Sequence, residues 1–109
     1  MRLIRLASVL LLLGISSAAF AAQDVSHTTG GAQTGEVTAQ AYAAAGASYA
    51  IVGHSERRSA GDTNEIVAEK LAHALAHGLT PILCVGERAR DGEGRYLAFV
   101  RDELASALE

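Results

Sequence analysis

The sequence predicts an α/β fold: three parallel strands covered by helices. Three observations carry this. Residues 49–52 and 79–87 are apolar runs containing the β-branched Ile51, Val52, Ile82 and Val85, and they read as buried strands. Between them, apolar residues recur at helical spacing, and the two runs start about thirty residues apart, as a βαβ unit requires. From Ala22 onward the order is strand, helix, strand, helix, strand, helix, an alternation that argues for a parallel sheet.

The totals narrow the reading. A chain of 109 residues holds one small domain at most. Half of it is apolar, but much of that is alanine, so the core is expected to be thin. Net charge is −3, and there is no basic stripe, so nucleic acid is not an expected partner. A single cysteine forms no internal disulfide. Cys84 lies in an apolar run and reads as a small hydrophobe.

Residues 1–21 differ from the rest. Arg2 and Arg5 precede an apolar run over residues 6–15, then come small residues, and Ala19-Phe20-Ala21 fits an A-x-A cleavage pattern. This predicts a secretory signal-peptide-like segment, with the cut between Ala21 and Ala22. The run is short for a bilayer span, which needs about 20 residues. The expected domains are therefore 1–21 and 22–109.

Residues 22–27 read as a strand end entering a loop. Thr38 is a candidate N-cap for a helix over 39–45, and Gly46 a candidate stop. Gly53 ends the run at 49–52 and lets the backbone turn. His54 then falls just past the C-terminal end of a strand, where ligands meet protein in parallel α/β folds. Ser55 and Glu56 suit the first turn of a helix. After a loop at 59–62, Asp62 and Glu65 read as a capping box. Ile66, Val67, Leu71, Ala74 and Leu75 then form the inward face of a helix ended by Gly78. His73 and His77 stand i, i+4 with no third ligand evident, so no metal is expected. Pro81 sits near a strand start, where a missing amide donor is tolerated. Leu97, Val100, Leu104 and Leu108 mark a last amphipathic helix, with Arg101, Asp102 and Glu103 as its solvated face.

The block Val52-Gly53-His54-Ser55-Glu56-Arg57-Arg58 resembles the active-site segment of the triosephosphate isomerases. The resemblance runs from Ala22 to Glu109. Residues 22–27 are similar to the end of the family's third strand, 34–39 to its interface loop and next helix start, and 79–87 to its fifth strand. It implies a partial (β/α)8 barrel, units three to five of eight, in which a complete barrel takes about 250 residues.

The resemblance also implies chemistry. The family interconverts dihydroxyacetone phosphate and glyceraldehyde 3-phosphate, in glycolysis and gluconeogenesis, without a cofactor. It implies that His54 is the electrophile, a neutral imidazole donating to the substrate oxygen, as is known for that family. By the same resemblance, Ser55 and Glu56 would support the other catalytic groups when the loop is open. Thr34, Gly35, Glu36 and Arg57 match the family's dimer contacts, so a homodimer and a triose phosphate are the implied partners. The family's lysine on the first strand has no counterpart here, and its glutamate base and phosphate-binding loops match positions beyond Glu109. The expectation is a family fragment, inactive alone, with Glu56 and Glu87 the first candidates for an unrecognised base. A non-catalytic module pairing with a full-length isomerase and a small exported protein are the alternatives. The family implies the cytoplasm, whereas residues 1–21 argue for export.

Overall fold

A computed structural model describes residues 20–31, 33–90 and 92–108. The leader-like helix expected at the N-terminus lies outside these residues, apart from Phe20 and Ala21. The elements are β1 (Ala21–Ala22), α1 (Ala39–Ala44), β2 (Tyr49–Val52), α2 (Ser55–Ser59), α3 (Asn64–Ala76), β3 (Thr80–Leu83) and α4 (Arg95–Leu108).

The strands form one parallel sheet in the order β1-β2-β3. Ala21 pairs with Tyr49, and Tyr49 with Thr80; Ile51 pairs with Ile82. The expected architecture is therefore present. The sheet begins before the anticipated cut: Ala21 is in β1, and the Phe20 carbonyl accepts from the Ser48 N–H at 2.8 Å. The strand stops at Ala22, so residues 23–27 are all loop.

Local signals explain most boundaries. Thr38 Oγ1 accepts from the Ala41 N–H at 3.1 Å, capping α1, and Gly46 turns away with φ +99°. The cap of α3 is not Asp62, as the capping-box pattern suggests, but Thr63, whose hydroxyl accepts from the Ile66 N–H at 3.3 Å. Asp62 is drawn inward instead because Lys70 lies beneath it. Gly78, at φ +77°, ends α3 as expected. The third strand is shorter than the apolar run that predicts it; the Cys84 N–H still donates to the Val52 carbonyl at 2.8 Å, residues 85–87 turn away, and 84–87 form the rim of a cleft.

One face of the sheet is covered. Ala50 and Val52 of β2 are buried with Val67, Leu71 and Ala74 of α3, Ala39 of α1 and Ala107 of α4. On the other face Tyr49 and Ile82 are exposed. A buried Val or Leu contributes about 1.5–3 kcal/mol, and a buried alanine much less. Half of this core is alanine.

An ionic cluster stands beside that thin core. Lys70 is 1 % exposed. Its Nζ donates to Asp24 Oδ1 and Oδ2 at 2.9 and 3.0 Å, and to Asp62 Oδ2 at 2.6 Å. Arg57 completes the set: Nε lies 3.1 Å from Asp24 Oδ2, and Nη2 3.6 Å from Asp62 Oδ1. The Nε contact is an ion pair without hydrogen-bond geometry. Two cations and two anions thus tie the loop after β1 to α2 and α3.

The last helix is turned from its expected orientation. Leu97, Leu104 and Leu108 are exposed, while Glu103 and Ala107 are buried. The reason lies in Glu103, 3 % exposed, whose carboxylate accepts from the Gly86 N–H and forms an ion pair with Arg58. Those bonds fix the rotation of α4 and turn three leucines outward. Leu75 of α3 is likewise exposed, against expectation.

Candidate active site

A cleft of about 720 Å³ opens at the C-terminal ends of β2 and β3. Its lining includes His54, Ser55, Cys84, Glu87, Arg58 and Glu103. Gly53 makes the turn that places His54 there. It adopts φ +78°, in the left-handed region open to glycine. His54 is the N-cap of α2, and its Nδ1 accepts from the Glu56 N–H at 3.2 Å. A nitrogen that accepts this bond carries no proton, so a neutral ring holds its proton on Nε2. The ring is then a hydrogen-bond donor on a residue that lines the cleft.

Ser55 also lines the cleft, but Glu56 does not; its backbone amide, not its carboxylate, serves His54. Glu87 lines the cleft on the β3 side. Its own backbone amide, and then the Arg90 guanidinium, hold its carboxyl below the usual carboxylate range. Arg90 Nη2 donates to Glu87 Oε1 at 2.6 Å, and the same guanidinium lies 4.4 Å over the Tyr96 ring. A carboxylate stabilised in this way is a weak proton acceptor. Among the described residues no group of three His, Cys, Asp or Glu side chains is placed to hold a metal.

Gly35, Glu36 and Arg57 meet elsewhere. With Asp24 and Tyr42 they line a second cavity of about 90 Å³. Thr34 is exposed and lines neither space.

Two residues of the cleft carried no role in the sequence reading. Arg58 donates from Nε to the Gly53 carbonyl at 2.7 Å, from Nη2 to the Cys84 carbonyl at 3.2 Å and from Nη1 to Asn64 Oδ1 at 2.9 Å. One guanidinium therefore bridges the ends of both strands. Glu103 Oε1 lies 3.7 Å from Arg58 Nη1, and Oε2 accepts from the Gly86 N–H at 2.9 Å. The seven-residue block contains Arg58, but its partners are distant in sequence. Nothing local distinguishes Glu103 from its solvated neighbours.

The triosephosphate isomerase family model matches residues 2–109. The chain belongs to the triosephosphate isomerase family. It is 50 % identical over 95 residues to a triosephosphate isomerase of Paracidovorax citrulli, covering 85 % of this chain and 38 % of that protein. It is 51 % identical over 96 residues to one of Ralstonia nicotianae, covering 86 % and 39 %. With one of Shewanella amazonensis it shares 55 % over 90 residues, covering 81 % and 35 %. The chain thus spans a little over a third of the length of these curated relatives. The family match also runs through most of residues 1–21. No helix among the described residues is long and apolar enough to cross a membrane.

Proposed function

We propose that this chain supplies the histidine side of a triose phosphate isomerase active site. The observation that carries the reading is the bond from the Glu56 N–H to His54 Nδ1, which selects the Nε2–H form of the ring. A neutral Nε2–H at the cleft is suited to the oxygen of a carbonyl that gains charge as a neighbouring C–H loses its proton. Ser55 shares the cleft with His54, and Glu56 fixes its tautomer. The base is assigned to a residue outside the described ones, because Glu56 does not line the cleft, Arg90 leaves Glu87 a weak proton acceptor, and Glu103 is paired with Arg58.

Two assays test this. The chain alone is expected to turn over triose phosphate no faster than buffer, and no faster than its His54→Gln variant. Turnover that His54→Gln abolishes would reveal a base within the chain. The second assay uses a chimaera in which residues 22–108 replace the matching segment of the Paracidovorax citrulli relative. It is expected to be active, and His54→Gln to lower its kcat by about 10²–10³-fold, the usual effect of removing an oxyanion donor. A folded chimaera indifferent to His54→Gln would sink the assignment.

A second reading is a non-catalytic module that pairs with a full-length isomerase through Thr34, Gly35, Glu36 and Arg57. The shared cavity of Gly35, Glu36 and Arg57 favours it, since it gathers that loop and that arginine on one surface. Residues 1–21 and 22–109 are separable parts, and the isomerase segment works in the cytoplasm. Intact-mass measurement on expressed protein checks this. A species beginning at Ala22 is expected if the leader is processed, and it would lack the Phe20 carbonyl that anchors Ser48. A species retaining Phe20 and Ala21 would refute the cut at that bond.

A further inference from the structure

We infer that Glu103 is a positioning residue for His54, acting through Arg58 and the Gly86 amide; this rests on the reading of His54 given above. The carboxylate is 3 % exposed and divides its oxygens between two elements. Oε2 takes the Gly86 N–H, on the cleft rim after β3, at 2.9 Å. Oε1 faces the Arg58 guanidinium at 3.7 Å. Arg58 in turn grips the carbonyl of Gly53, the residue before His54, at 2.7 Å, and that of Cys84 at 3.2 Å. The turn at Gly53 has little room to move. A methyl group added there meets Arg58 Nη2 at 2.9 Å, the Cys84 carbonyl at 3.0 Å and Val67 Cγ1 at 3.3 Å. The guanidinium is therefore one wall of the turn that aims His54.

The alternative to a positioned guanidinium is costly. The Arg58 side chain is 9 % exposed, so without Glu103 it carries a charge largely cut off from water. It then moves toward solvent, into the cleft that it lines. That motion releases the Gly53 carbonyl and slackens the His54 cap. Glu103 thus couples α4 to the orientation of the imidazole that caps α2, with which it makes no hydrogen bond. A residue of this kind is felt in the state of the histidine ring, not only in stability.

The test is long-range ¹H–¹⁵N correlation on the whole chain labelled at histidine, at a pH of about 8, above the ordinary imidazole range. The other histidines serve as internal references. In the wild type, His54 is expected to show two well-separated ring nitrogens with the proton on Nε2. In Glu103→Ala the two signals are expected to converge toward the averaged pattern of exposed His77. Glu103→Gln still offers an oxygen to the Gly86 N–H, and it should retain a larger separation than Ala. Leu71→Ala, a core truncation outside the cleft lining, should lower stability while leaving the His54 pattern unchanged. An unchanged His54 pattern in folded Glu103→Gln and Glu103→Ala overturns the positioning role and leaves the active-site reading standing. A wild-type His54 with averaged nitrogens defeats the active-site reading itself, and with it this inference. If Glu103→Ala does not fold, the isosteric Gln variant decides: no loss of separation relative to wild type overturns the role.

Discussion

Lys70→Met is expected to destabilise the domain by about 3–5 kcal/mol, the usual cost of breaking a buried ion pair from one side. Methionine replaces most of the apolar stem, so packing changes little and the lost charge dominates. Asp62 is 7 % exposed and would keep only Arg57, at 3.6 Å. Asp24 would keep Arg57 at 3.1 Å, and the two carboxylates would repel each other. A small domain has a total stability of about 5–15 kcal/mol at best, and one that is half alanine in its core sits low in that range. Urea titration followed by helical circular dichroism should show a strongly lowered midpoint or no cooperative transition. Lys70→Met paired with Asp62→Leu should recover part of the loss by removing the stranded carboxylate. A single variant with a wild-type midpoint would mean that the cluster holds nothing in place.

Gly53→Ala and Gly78→Ala should differ sharply, although the two glycines share a backbone conformation. Their φ angles are +78° and +77°. Forcing an L-residue into that region costs about 1–2 kcal/mol. At Gly78 nothing lies within 4 Å of the added methyl, so that strain is the whole effect. At Gly53 the methyl falls 2.9 Å from Arg58 Nη2 and 3.0 Å from the Cys84 carbonyl. Arg58 must yield, and the Cys84 carbonyl loses its partner at a cost of about 1–3 kcal/mol. The expected difference between the two variants is therefore about 1–3 kcal/mol in denaturation free energy. In the chimaera, Gly53→Ala should also lower isomerase activity, whereas Gly78→Ala should not. Equal stability losses would show that the turn before His54 is less confined than its neighbours imply.

The parts of this molecule that were legible in sequence are those set by near neighbours. The run 49–52, its glycine and the polar residues after it define a strand, a turn and a cap within ten positions. Thr38 and Gly46 bracket α1 by the same local logic. Identifying His54 with a role needed the whole block, since one histidine at a turn is uninformative. What escaped the reading was fixed across the fold. Asp62 looks like a cap, but the buried amine of Lys70, two helical turns on, claims it and leaves the cap to Thr63. Glu103 looks like one more solvated charge on a helix with leucines opposite. Its partners, Gly86 and Arg58, are known only once α4 has docked. Binary patterning assigns the leucines inward because it counts apolar area. Here a desolvated carboxylate with two partners sets the rotation instead.

The sheet order has a consequence for how the chain is made. Strands lie side by side in the order in which a ribosome releases them, β1, then β2, then β3. Each new strand finds its only required neighbour already outside the exit tunnel, separated by a loop and helix of about thirty residues. Closing a loop of that length costs little more than closing one of half its length, since the entropy grows only as the logarithm. The sheet can thus grow one pairing at a time during synthesis, without waiting for distant sequence. Until another strand arrives, the growing structure always ends in an open edge. After β2 that edge carries Tyr49 to Val52, whose backbone is the template for β3. A pause in translation after β2 has cleared the tunnel and before β3 has followed would hold an adhesive strand in the open, so the codons where translation speed should matter most lie a tunnel length downstream of Val52.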